Sequence, residues 1–305
     1  MTSMTNALEA LASSTEETAQ RSRSRRGLLL FFALLIPLSA LLEGTIIVTH
    51  NFSWVTLLMW IPGLSSIITR LVLREGFADV SFSPGGWRSW RAILFALLFP
   101  TAVGLIAYGG AWSLGLAHFV SPTGGSSDAI LQPLSFIAHS PLLNFSCRLL
   151  LATTLGTIIG TLTAAGEEIG WRGYMLTRLI DARVPKPILL SGLIWGLWHL
   201  PLIFSGLYAT GPSSPSATFS ALTFLLTTTS IAFFLARLRL TTGSIWPPIV
   251  LHAAWNAIIQ TVFDRATNGP ATLLWTGESG ILVASVLVAA AFLLSHAREK
   301  RISLW

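Results

Sequence analysis

Charge is what this sequence has least of. Only 10% of its 305 residues are Asp, Glu, Lys or Arg and 52% are hydrophobic, whereas soluble domains carry about 25% charged residues. So little polar surface excludes a chain that covers itself in water. Cysteine is nearly missing too. Cys147 stands alone, which excludes an intrachain disulfide and a cysteine-built zinc cage; without a basic partner it is a small packed residue rather than a nucleophile. No His-Glu-x-x-His sequence occurs, so the chain is not an ordinary zincin. No internal repeat is evident, nor paired interrupted helices, and a transporter loses its usual sequence support.

What is present is apolar sequence in long runs. A helix crossing hydrocarbon needs about 20 apolar residues, because each adds about 1.5 Å toward about 30 Å. Eight stretches qualify, at 27–49, 54–73, 92–116, 142–165, 188–204, 218–236, 244–262 and 280–295. They are continuous rather than alternating over short segments, which favours helices over a barrel. The fold class is therefore all-α: a polytopic membrane protein of about eight transmembrane helices. Residues 1–26 form a polar and basic amino-terminal tail, 27–297 a single transmembrane domain, and 298–305 a basic carboxyl-terminal tail. The first twenty residues are expected to be a mobile tail or at most a short surface helix. The Arg-rich stretch before Gly27 resembles a signal-peptide start, but the long run after it and the lack of a cleavage site mark a retained span.

The net charge of +6 raises nucleic acid as a partner, and the placement of the charge argues against it. With the amino terminus inside, the inner segments hold Arg21, Arg23, Arg25 and Arg26, then Arg74, Arg88 and Arg91. Arg178, Arg183 and Lys186 follow, then Arg237 and Arg239, and finally Arg298, Lys300 and Arg301. The outer segments hold only Arg148 and Arg265. This is the positive-inside pattern, with both termini cytosolic, and the basic residues meet membrane lipid rather than nucleic acid.

Ionisable groups at membrane depth cost about 2.5–3.5 kcal/mol each on insertion scales, so each needs a reason. Three segments of the second half stand out. In Glu167-Glu168-Ile169-Gly170-Trp171-Arg172, Glu168 and Arg172 lie at i, i+4 and can pair, while Glu167 points about 100° away and is free of that pair. In Trp195-Gly196-Leu197-Trp198-His199-Leu200-Pro201, Trp195 lies one turn before His199, so its ring is expected to pack on the imidazole, and Pro201 loosens the helix. In His252-Ala253-Ala254-Trp255-Asn256, His252 and Asn256 share a face and offer two donors to one point. Taken alone, each histidine could simply bond a neighbour. Together they make a kit for amide hydrolysis: a glutamate base for water, an imidazole partner and an oxyanion site. Trp171, Trp198, Trp246 and Trp255 supply bulk to wall such a cavity. Glu43, in the first span, has three open readings: facing the bundle interior, capping a kink or lining a water pocket. His50, His118, His139 and His296 are simplest as interfacial residues.

The three segments resemble the motifs of the CPBP family of intramembrane metalloproteases. That family includes the type II CAAX prenyl endopeptidases and the bacteriocin-processing or self-immunity Abi group. Its pattern is a glutamate pair followed by three residues and arginine, an aromatic four before histidine, and histidine four before asparagine. Here these are Glu167-Glu168…Arg172, Trp195…His199 and His252…Asn256, within a motif core of about 142–262. Trp195 departs from the family's usual phenylalanine. The resemblance implies Glu167 as the base, His199 as its partner, His252 and Asn256 as the oxyanion site, and Glu168, Arg172 and Trp195 as supporting residues. It also implies a metal question, since Glu167, His199 and His252 are three potential ligands for zinc (Zn2+) or another divalent ion. The expected function is endopeptidase action on the cytosolic side, on a membrane-associated peptide or protein such as a CAAX-type prenylated tail or a peptide precursor. The alternatives are a non-catalytic membrane immunity or interaction protein and, behind it, a transporter. The expected location is a prokaryotic plasma membrane.

Overall fold

A computed structural model of the chain describes residues 2–123 and 140–299, with side chains for 15–123 and 140–296. Residues 124–132 of the Gly/Ser/Pro-rich connection, His139, and Lys300 and Arg301 of the carboxyl-terminal tail lie outside the described residues. Helix dominates: α1 (Thr2–Thr49), α2 (Val55–Leu73), α3 (Gly86–Ser113) and α4 (Pro141–Asp181) precede α5 (Pro187–Phe204) and α6 (Ala217–Thr242). Then come α7 (246–263) and α8 (Ile281–Glu299). Two short strands, β1 (His118–Phe119) and β2 (Thr267–Asn268), pair antiparallel, His118 opposite Asn268. The chain is an all-α polytopic membrane protein.

Each of the eight apolar runs lies in a helix, but six helices among the described residues are long and apolar enough to cross a membrane on those criteria alone. Over its described side chains, Ile281–His296, α8 is a shorter apolar helix. α7 falls short because Pro247, Pro248, His252, Asn256 and Gln260 dilute its apolar content. One expectation needs correction. The first twenty residues, expected as a mobile tail or short surface helix, continue into the 48-residue α1 from Thr2 onward. No proline or glycine occurs before Gly27 to stop the helix. The helix of the fourth span continues through the Glu167–Arg172 segment, as the lack of a helix stop there implies, and α4 runs on to Asp181 as a 41-residue helix, about twice the length one crossing requires.

Local chemistry sets the helix ends. Ser140 caps α4 by accepting from the Leu143 N–H at 3.3 Å, with Pro141 in the first turn. Ser216 caps α6 through the Phe219 N–H at 3.0 Å, and Gly243, at φ 67°, closes it in a left-handed turn.

The connections expected inside meet at one end of the bundle. Arg70 and Arg178 both pair with Asp79 of the α2–α3 connection, and Arg178 also holds Glu75 at 2.8 Å. Burial works to raise the Asp79 pKa, but the two guanidinium groups outweigh it and leave it below the usual carboxylate value. Ile245 donates to the Ser81 carbonyl at 3.1 Å and Trp246 to that of Phe82 at 2.9 Å, which ties the α6–α7 connection to the same end. The opposite end is closed by β1 and β2 and by Tyr108, whose hydroxyl donates to Asp264 at 2.5 Å.

α2 crosses α4 with almost no space between backbones. A Cβ added at Gly166 would lie 2.7 Å from the Met59 carbonyl oxygen, and one at Gly170 2.4 Å from the Pro62 carbonyl carbon. Small residues at such crossings let transmembrane helices approach. Gly166→Ala is therefore expected to push α2 away and destabilise the fold by about 1–3 kcal/mol. The test is thermal unfolding in detergent, where an unchanged midpoint would contradict the crossing.

Candidate active site

Glu167 and Glu168 occupy the last turns of a regular stretch of α4, Thr157–Gly170, directly before a π-helical turn at Trp171–Met175. A π turn inserts an extra residue per turn and re-aims side chains, and such turns recur at functional sites. A second one, Asn256–Phe263, begins at the asparagine of α7. His199 sits at the break in α5 between Pro187–Trp198 and Leu200–Phe204, where Pro201 cannot continue the hydrogen-bond ladder. Glu167, Glu168, Arg172 and His252 are all buried.

The two glutamates are held differently. Glu168 Oε1 accepts from Arg172 at 2.8 Å and from His252 Nδ1 at 2.8 Å. Glu167 takes no part in that pair. Its Oε2 accepts from two indoles, Trp195 Nε1 at 2.7 Å and Trp171 Nε1 at 3.2 Å, while its Oε1 lies 3.9 Å from His252 Nε2. The Arg172 guanidinium stacks 4.5 Å over the Trp195 ring, a favourable cation–π placement. Trp195 therefore does more than pack. Its ring meets His199 edge-on at 5.8 Å and 72°, and the bond that orients His199 is from Nδ1 to the Trp195 carbonyl at 2.9 Å. The expected packing of indole on imidazole is present edge-on, and the indole N–H adds a hydrogen bond to the carboxylate.

Both imidazoles have a defined tautomer. A backbone carbonyl only accepts and the Arg172-paired Glu168 is an acceptor, so Nδ1 carries a proton in each ring, and in the neutral ring Nε2 presents a lone pair. Asn256 Oδ1 accepts from Gln260 Nε2 at 3.4 Å, and its amide hydrogens are what it offers as donors.

Glu167, Trp195, His199, His252 and Asn256 all line one cavity of about 200 Å³. Glu168 and Arg172 stand behind its wall. Trp198 and Trp255 line it as expected, and Trp171 touches it through Glu167. Trp246 does not; it lies 39% exposed against the α2–α3 connection. Among the three readings of Glu43, the cavity wall is the one observed, and its buried Oε1 has no hydrogen-bond partner. Tyr208, Gln260 and Glu278 line the cavity unforeseen: Glu278 accepts from Tyr208 at 2.5 Å, Trp255 at 2.7 Å and Gln260 at 3.1 Å. Gln260 had a signal, one turn beyond Asn256 on the His252 face. Tyr208 and Glu278 sit in connections, where no periodicity marks them.

Among the described residues no three His, Cys, Asp or Glu side chains are grouped to hold an ion. One oxygen of Glu167 and the Nδ1 of each histidine are already committed to protein partners. Each histidine keeps Nε2 as the nitrogen available for coordination, as is usual where Nδ1 bonds a carbonyl or carboxylate.

Comparison with known proteins converges on the same stretch. Residues 149–258 match the family model described as type II CAAX prenyl endopeptidase Rce1-like. Over those residues the chain is similar to that family. A CAAX prenyl protease 2 of Methanococcus maripaludis is similar, 48% identical over 44 residues, which is 14% of this chain and 16% of that protein. The matched stretch thus spans under a fifth of the relative's length. The family's usual phenylalanine makes the tryptophan at 195 a natural probe. Trp195→Phe keeps a ring under Arg172 but removes a hydrogen bond to a carboxylate, worth about 1.5–3 kcal/mol. If Glu167 is the base, the variant is expected to cleave peptide about 10–100-fold more slowly, with a lowered thermal midpoint but an intact fold. Unchanged kcat would show that the indole N–H has no part in orienting Glu167.

Proposed function

We propose that this chain is an intramembrane endopeptidase that hydrolyses a peptide bond in a membrane-associated substrate, with Glu167 as general base. The observation that carries the reading is the pair at the cavity floor, Glu167 Oε1 facing the lone pair of His252 Nε2 at 3.9 Å. Two acceptors so placed take the two hydrogens of one water and leave its oxygen lone pair for attack. Glu167 removes a proton as the oxygen bonds to the carbonyl carbon. The Asn256 amide hydrogens donate to the resulting oxyanion. The proton then passes to the amide nitrogen as the C–N bond breaks, leaving a new carboxyl group and a new amine.

These roles exchange the imidazoles relative to the expectation from resemblance. His252 partners Glu167, and His199, with its Nε2 lone pair, accepts an N–H of the bound peptide. Glu168, Arg172 and Trp195 position the reacting groups. The substrate class is a lipid-anchored tail of CAAX type or a peptide precursor. The test is mass spectrometry of products from prenylated and unmodified membrane peptides incubated with purified protein, with elemental analysis of the same sample. Discrete cleavage sites, lost in His199→Ala and in Asn256→Ala, are the expected result. Intact peptides throughout, together with an unchanged cellular phenotype for Glu167→Gln, would instead indicate a non-catalytic interaction protein.

A further inference from the structure

The cavity has a floor and a rim, and they lie at different depths. Its floor is Glu167, Trp195, Ile231 and His252, each near the middle of its helix. Its rim is Phe52, Leu207, Tyr208 and Glu278, all in the connections that follow α1, α5 and α7. Phe52 is 55% exposed. No lining residue comes from the connections at the other end, which carry Arg74, Arg183 and Lys186 and join through Asp79, Arg178 and Ile245. The mouth and the basic connections are therefore at opposite ends of the bundle.

Basic connections stay on the cytoplasmic side, so the two observations fix a direction. We infer that the peptide enters this cavity from the non-cytoplasmic face. The inference rests on the endopeptidase reading and narrows its substrate class. It replaces the expected cytosolic action with cleavage of a peptide or tail already presented across the membrane, such as a translocated precursor. A carboxyl-terminal tail held in the cytosol meets the closed, arginine-rich end of the bundle instead.

Single cysteines in a Cys147→Ser background test this independently of proteolysis. Phe52→Cys and Leu207→Cys mark the rim, and Phe77→Cys, at a position 42% exposed in the α2–α3 connection, marks the basic end. A membrane-impermeant maleimide is added to intact cells and to inverted vesicles. The expected result is that both rim cysteines react only in intact cells and Phe77→Cys only in inverted vesicles. Reaction of the rim from the cytoplasmic side would overturn the inference while leaving the catalytic proposal standing. So would an unreactive Leu207→Cys beside a reactive Phe52→Cys, because the mouth would then be closed. Where a peptide is cleaved, labelled Leu207→Cys is expected to lose at least about 10-fold in activity, and full activity would place entry elsewhere.

Discussion

Replacing Glu167 with glutamine is expected to lower peptide cleavage by about 10²–10⁴-fold, the usual contribution of a positioned general base. The fold is expected to survive. Glutamine has the same shape, and with its carbonyl oxygen turned toward Trp171 and Trp195 it still accepts from both indoles. Its NH2 then faces His252 Nε2 and can donate to it. What disappears is the ability to take a proton from water. Thermal unfolding and turnover should therefore separate, with the midpoint nearly constant and kcat collapsed. A Glu167→Gln protein that cleaves at the parental rate would remove this residue from the chemistry.

The second large effect falls on stability. Arg172 and Glu168 form an ion pair in which both side chains are wholly buried. Arg172→Met leaves the Glu168 carboxylate without its counter-ion, and breaking one side of a buried pair typically costs about 3–5 kcal/mol. Loss of monodisperse protein in detergent, or a large fall in unfolding midpoint, is the expected outcome. Neutralising both sides with Glu168→Gln/Arg172→Met removes the stranded charge and is expected to restore much of the stability. It is not expected to restore activity, since the carboxylate that sets the His252 tautomer is gone. Equal stability of the single and double variants would contradict the assignment of Arg172 as the partner of Glu168.

How much of this was legible depended on whether a feature is local. The i, i+4 spacing put Glu168 beside Arg172 and left Glu167 apart, because helical phase alone decides it. Apolar runs located the helices for the same reason. The partner of the Trp195 indole was not legible. Glu167 lies 28 positions earlier, and only the packing of α5 against the π turn of α4 brings the two together. Glu278 was hidden in a Gly-flanked connection, and nothing short of the fold reveals that Tyr208, Trp255 and Gln260 converge on it. The cavity's rim was not legible either, because the motifs mark its floor and the rim is built from loops that carry no motif.

A double-variant cycle on Glu167 and His252, read as kcat/KM for one cleaved peptide, tests most directly whether a carboxylate and an imidazole 3.9 Å apart share one water. Groups that act as a unit lose their contribution together. Glu167→Gln/His252→Ala is therefore predicted to be no slower than the slower single variant. Rate losses that multiply would mean the two residues act separately, and the hydrolytic site described here would be wrong.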